Sequence, residues 1–157
     1  MIGRGDIAPD FELDGVDGTS LLRVRQSLAQ LRGRPVVLVF YPADNSPVCT
    51  VQLRSYSDDF AAFSAVDAQV LAISPQTVDS HLAFARVNGG FAFPLLADVR
   101  REVGECYGVL GPVGFYRRSV VVVDGAGIVR WAHRATAGLT FRPVDELVSV
   151  VASIGAD

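Results

Sequence analysis

The sequence predicts an α/β fold in which a mixed sheet carries helices on both faces. Three observations predict it. Val36-Val37-Leu38-Val39-Phe40-Tyr41 is a continuous apolar run, the pattern of a strand covered on both sides. A segment with apolar residues at three- and four-residue spacing follows it, then a second apolar run from Gln69 to Ser74, which together make a βαβ start. Near the other end, Ser119 to Val123 and Ile128 to Arg134 flank Asp124-Gly125-Ala126-Gly127, a hairpin with strongly β-branched strands.

Each element has its own signal. Residues 1–34 read as a leader with a short hairpin: Phe11-Glu12-Leu13 alternates, Asp17-Gly18 turns, and a helical patch follows at Gln26 to Leu31. The strand from Val36 to Tyr41 ends in the polar turn Asp44-Asn45-Ser46. From Pro47 to about Phe63, Leu53, Tyr56, Phe60 and Phe63 recur with the helical period, and proline suits the first helical position. After the strand to Ser74, Asp79 to Val87 is a second helix, stopped by Gly89-Gly90. Phe91 to Leu96 is a short connection or strand, and Asp98 caps a helix through about Tyr107. Pro143 to Ile154 forms the last helix. That order matches the thioredoxin fold, with the N-terminal hairpin as an extension. No linker divides it, so a single domain over residues 1–157 is expected.

Composition narrows the function classes. Half the residues are hydrophobic and a fifth charged, as in soluble globular proteins. A net charge of −3 offers no basic footprint for nucleic acid. The apolar run Pro35 to Tyr41 falls far short of the ~20 residues that span a bilayer. The first six residues, Met1 to Asp6, lack the apolar stretch of a signal peptide, so a cytoplasmic location is expected. Two cysteines and two histidines, with no C-x-x-C pair, suggest neither a zinc site nor any other metal or cofactor. All 14 basic residues are arginine, so no lysine is present to serve as a Schiff-base nucleophile or general base.

Chemistry concentrates at Cys49. Ser46-Pro47 reads as a helix start, which puts the Cys49 sulfur in the first turn, among free N–H groups at the positive end of the helix dipole. Thiols in such positions ionise more readily, and the thiolate is the nucleophile. By itself, Cys49 in register with Leu53, Tyr56 and Phe60 reads as a buried, inert cysteine; Ser46 is compatible with a plain N-cap, and Pro42 and Pro47 with turn residues.

Pro42-x-x-x-Ser46-x-x-Cys49 resembles the peroxiredoxin signature, in which proline, threonine or serine, and cysteine stand at this spacing. Further segments agree in order: Ala8-Pro9-Asp10-Phe11, Phe93-Pro94-Leu95-Leu96-Ala97-Asp98, Tyr107-Gly108-Val109, and Arg118-Ser119 leading to Asp124. The resemblance spans essentially the whole chain, and within the family the bacterioferritin comigratory protein branch is the most similar. It implies a thiol-dependent peroxidase that reduces hydrogen peroxide or organic hydroperoxides through Cys49. In that role Arg118 holds the anion and the peroxide, with Arg117 as fallback. Ser46 donates and accepts through its hydroxyl, Val48 and Cys49 offer backbone N–H groups, and Pro42 walls the pocket. An ordinary thiol of pKa ~8.5 is only about 3% ionised at pH 7. A helix terminus supplies only ~0.3–2 kcal/mol, so a nearby cation is required.

The chain departs from the family pattern in three places. Serine replaces threonine at Ser46, Gln52 stands where glutamate is frequent, and Arg54 stands where some relatives carry a resolving cysteine. That leaves Cys106 as the possible internal resolving residue, although its position reads better as a buried small hydrophobe. An external thiol reductant, thioredoxin- or glutaredoxin-like, is therefore expected, acting on a monomer or homodimer. A non-catalytic redox sensor shares the same site. A thioredoxin-like disulfide reductase needs a second sulfur that Asn45 to Thr50 lacks. His81 and His133 read as surface or satisfied residues without partners at useful spacing.

Overall fold

A computed structural model of the 157-residue chain describes residues 1–135 and 140–154. Seven strands form one open sheet: β1 (Glu12–Val16), β2 (Arg23–Ser27), β3 (Val36–Phe40), β4 (Gln69–Ser74), β5 (Leu95–Ala97), β6 (Ser119–Val123) and β7 (Val129–Arg134), in the order β2-β1-β5-β4-β3-β6-β7. The helices are α1 (Pro47–Asp58), α2 (Phe60–Ala65), α3 (Val78–Val87), α4 (Glu102–Cys106) and α5 (Val144–Ile154). The sheet is mixed: β3, β4 and β5 run parallel, whereas β6 pairs antiparallel to β3 and β7 to β6. This is the thioredoxin-like arrangement that the element order predicts.

β3 and β6, neighbours in the sheet and almost wholly apolar, each have two faces to cover; all five residues of each are buried. One core lies under α1, α2, α3 and α5 and gathers Val37, Val39 and Tyr41 with Val120 and Val122. The other lies under α4 and the leader and takes the alternate residues, Val36, Leu38 and Phe40 with Val121 and Val123. Period-two alternation thus assigns each side chain of the central strands to a face.

Two expectations about elements need correction. The single helix expected from Pro47 to Phe63 is two, broken at Asp59, where ψ is +21°. Ser57-Asp58-Asp59 is a run of residues whose side chains compete for backbone hydrogen bonds, and it ends α1. The helical patch expected over Gln26 to Leu31 is instead the end of β2 followed by one 3₁₀ turn, Ala29–Leu31. Alternation through Arg23–Ser27, paired residue for residue with β1, overrides the local propensity.

Candidate active site

The site forms where β3 hands over to α1. Ser46 is the N-cap residue with extended backbone, Pro47 takes the first helical position, and Cys49 falls in the first turn. Thr50 N–H makes the first intrahelical bond, 2.9 Å to Ser46 C=O, so the N–H groups of Val48 and Cys49 have no acceptor in the helix. The Ser46 hydroxyl makes no capping bond and stays available at the helix mouth. Ser46, Val48 and Pro42 are half-buried, while Cys49 is fully buried beside Leu53 and Tyr56.

Strand register brings the cation to the sulfur. Phe40 pairs with Ser119, so Arg118 lies across from Tyr41, at the end of β3 that leads into the cysteine loop. Positions 118, 120 and 122 share a face, and Val120 and Val122 lie in the same core as Cys49. Arg118 therefore points into that core, 4% exposed, and its Nη2 donates to Cys49 Sγ at 3.3 Å. Arg117, the alternative reading, turns to solvent. The other branch of the fork, Nη1, donates to Gln52 Oε1 at 2.6 Å. Gln52 Nε2 reaches Tyr56 Oη at 3.3 Å, and Tyr56 O–H donates to the Arg142 carbonyl at 2.5 Å. Burial pushes the Tyr56 phenol up to about 12, so it stays a donor. The family's glutamate position is thus used here by a neutral amide that orients the guanidinium without adding charge.

A second buried network lies under the same loop and escaped the sequence reading. The Asp44 carboxylate accepts from Tyr41 O–H at 2.7 Å through Oδ1 and from Ser80 O–H at 2.7 Å through Oδ2. His81 Nδ1 lies 2.8 Å from the same Oδ2, and His81 Nε2 lies 3.0 Å from the Leu96 carbonyl. Burial, then the neighbouring Asp44, raises the Tyr41 phenol well above its usual range. Of the two readings of His81, surface or satisfied, the structure bears out the satisfied one, and Asp44 is a partner that no spacing in the sequence marked. The available signal was helical spacing: His81, Phe84 and Ala85 form the inward face of α3. His133 is half-buried and stacks on Trp131, with ring centroids 6.1 Å apart.

Cys106 also departs from expectation. It is exposed, at the end of a five-residue helix whose buried positions are Val103 and Gly104. It borders a cleft of about 640 Å³ with Phe11, Glu102 and Tyr107. Phe11, Val103 and Tyr107 belong to the core on the far face of the sheet from Cys49. Both cysteines are free, and the sheet stands between them. Arg54, at the other position considered for resolution, is engaged with the Asn88 and Gly90 carbonyls at 3.0 and 2.7 Å. Among the described residues, no three His, Cys, Asp or Glu side chains gather as a metal site.

Residues 4–132 match the AhpC/TSA family. The chain belongs to that family of peroxiredoxins. A Synechocystis sp. protein that carries the name peroxiredoxin is 34% identical over 96% of this chain and 77% of its own length. Chloroplastic peroxiredoxin Q of Triticum aestivum is 34% identical over 84% of this chain and 59% of its own. The reduced 2-Cys peroxiredoxin of Plasmodium vivax superposes with a TM-score of 0.90 at 26% identity, covering 99% of this chain and 98% of that one. As a peroxiredoxin, this chain carries the signature cysteine at the mouth of α1, with its arginine delivered by β6.

Proposed function

We propose that Cys49 is the peroxidatic nucleophile of a thiol-dependent peroxidase, and that Arg118, Ser46, Pro42 and the N–H groups of Val48 and Cys49 form its peroxide site. The observation that carries this reading is the 3.3 Å contact from a buried guanidinium to Sγ. A charged donor in a water-poor core stabilises an anion far better than it would in bulk solvent. Membership of the family supports a peroxide substrate and a thiol reductant.

The chemistry follows from the groups present. The thiolate attacks the nearer peroxide oxygen, an S–O bond forms and the O–O bond breaks. The departing oxygen leaves as hydroxide or alkoxide and takes a proton to become water or an alcohol. Arg118 and the two N–H donors meet the charge that grows on that oxygen. Cys49 becomes a sulfenic acid, the thiol oxidised by two electrons. A first reductant thiol displaces water to form a mixed disulfide; a second reductant thiol then attacks the first one's sulfur, which frees Cys49 as thiolate and joins the two reductant sulfurs in a disulfide. Because the sulfur itself is closed off from solvent, a peroxide enters as the half-exposed rim of Pro42, Ser46 and Val48 gives way.

The reductant in this reading is external and thioredoxin- or glutaredoxin-like, since Cys106 faces the opposite side of the sheet. A cytoplasmic monomer or homodimer completes the proposal. Stopped-flow consumption of hydrogen peroxide with dithiothreitol as reductant tests it. Cys49→Ser should lower the rate by at least about a thousandfold. Peroxide consumption unchanged in that variant would remove Cys49 from the mechanism.

A further inference from the structure

The Asp44 network costs the fold something that simple packing would not. A carboxylate, an imidazole and a phenol are withdrawn from water together beside the half-buried Ser80 hydroxyl, and such a cluster rarely outperforms apolar side chains of the same volume for stability alone. Its placement suggests another use. Asp44 stands in the middle of the loop between Pro42 and Ser46, and its carboxylate is taken up by Tyr41, Ser80 and His81. Its partners come from three separate elements: Tyr41 at the end of β3, Ser80 and His81 on α3, and through His81 the Leu96 carbonyl of β5.

Nε2 of His81 faces a carbonyl, which can only accept, so that nitrogen carries a proton and the ring is held from both ends. The next residue, Asn45, has φ of +63°, a left-handed conformation that asparagine adopts more readily than most side-chain-bearing residues. This turn leads directly into Ser46 and the open N–H groups of the first helical turn. Tyr41 closes the circuit: its side chain packs in the same core as Cys49.

We propose that Asp44 and His81 are positioning residues that latch the cysteine loop to α3 and β5, so that the Ser46 hydroxyl and the Val48 and Cys49 N–H groups converge on the peroxide. The pair acts through the loop and touches neither sulfur nor substrate. This inference rests on the peroxidase reading of Cys49. It separates two reactions of the same sulfur. Peroxide reduction needs both the thiolate and the converged donors, whereas alkylation by iodoacetamide needs only a thiolate within reach.

The experiment uses the full chain in a Cys106→Ser background, so that Cys49 is the single thiol. For Asp44→Asn, the rate with hydrogen peroxide should fall on the order of tenfold to a hundredfold, with iodoacetamide alkylation kept within about threefold of the parent. Ser80→Ala removes one donor and leaves the His81 contact in place, and it should show the same split at a smaller scale. If Asp44→Asn does not fold, Ser80→Ala decides. A folded variant with its peroxide rate within about twofold of the parent overturns the latch, as does a parallel fall of both rates, which would mark a merely structural role. Cys49→Ser distinguishes the two layers. If it abolishes peroxide reduction while Asp44→Asn does not slow it, only the latch fails. Peroxide reduction that survives Cys49→Ser removes the site and the latch together.

Discussion

Arg118 is the residue on which the chemistry turns, because its guanidinium does two things at once. One branch of the fork meets Cys49 Sγ and the other meets Gln52 Oε1. Lysine offers a point charge without the planar fork, so it cannot keep both contacts in one orientation. Arg118→Lys should lower the rate with hydrogen peroxide on the order of a hundredfold, with the fold kept, as checked by stopped-flow kinetics and circular dichroism. A rate within about threefold of the parent would mean that charge alone suffices and the fork is dispensable. Ser46 is a milder departure: it keeps the hydroxyl of threonine and loses only the methyl that stiffens the rotamer.

At the scale of elements, β7 carries a pH-sensitive contribution to stability. His133 has its pKa held below the ordinary imidazole value, first by burial and then by the nearby Arg142 guanidinium. The folded protein therefore binds that proton less readily than the unfolded chain. Stability is unaffected well above the ordinary value near ~6.5, and it falls as the pH drops through that value toward the lower folded one. His133→Gln should flatten this decline between pH 7 and 5. Urea denaturation midpoints at both pH values would show it, and equal slopes in parent and variant would refute it. Between elements, the β3–β6 register does the decisive work. A one-residue slip would turn Arg118 to the far face and bring Arg117 inward.

At the scale of the whole molecule, the sheet separates the two sulfurs. Cys49 belongs to the core under α1, α2, α3 and α5, while Cys106 ends a helix packed on the other face. Sheet and flanking side chains together exceed the ~7 Å between Cα atoms that a disulfide allows. One equivalent of hydrogen peroxide should therefore give a sulfenic acid on Cys49 that dimedone traps, with no intramolecular bridge in the mass spectrum. Cys106→Ser should leave peroxide turnover with external thiol unchanged. A Cys49–Cys106 disulfide formed at high yield would instead require a large refolding of α1 or α4.

The sequence by itself determined most of the elements and the reacting groups. A short, valine-rich apolar run makes a doubly covered strand, proline after serine starts a helix, and a cysteine three residues after that serine lies among its open N–H groups. The alternation of β6 foretold that only one of Arg117 and Arg118 could face the sulfur, because period two is a local property of the backbone. Tertiary structure alone decided which partners meet across the fold. Asp44 and His81 stand far apart in the chain and carry no spacing that links them; they meet because α3 packs beside the end of β3. The exposure of Cys106 was likewise decided by which edge of a short helix the far core covers. Local pattern fixes what a segment becomes, whereas contacts between distant segments follow from how the layers stack, and that is a property of the assembled chain.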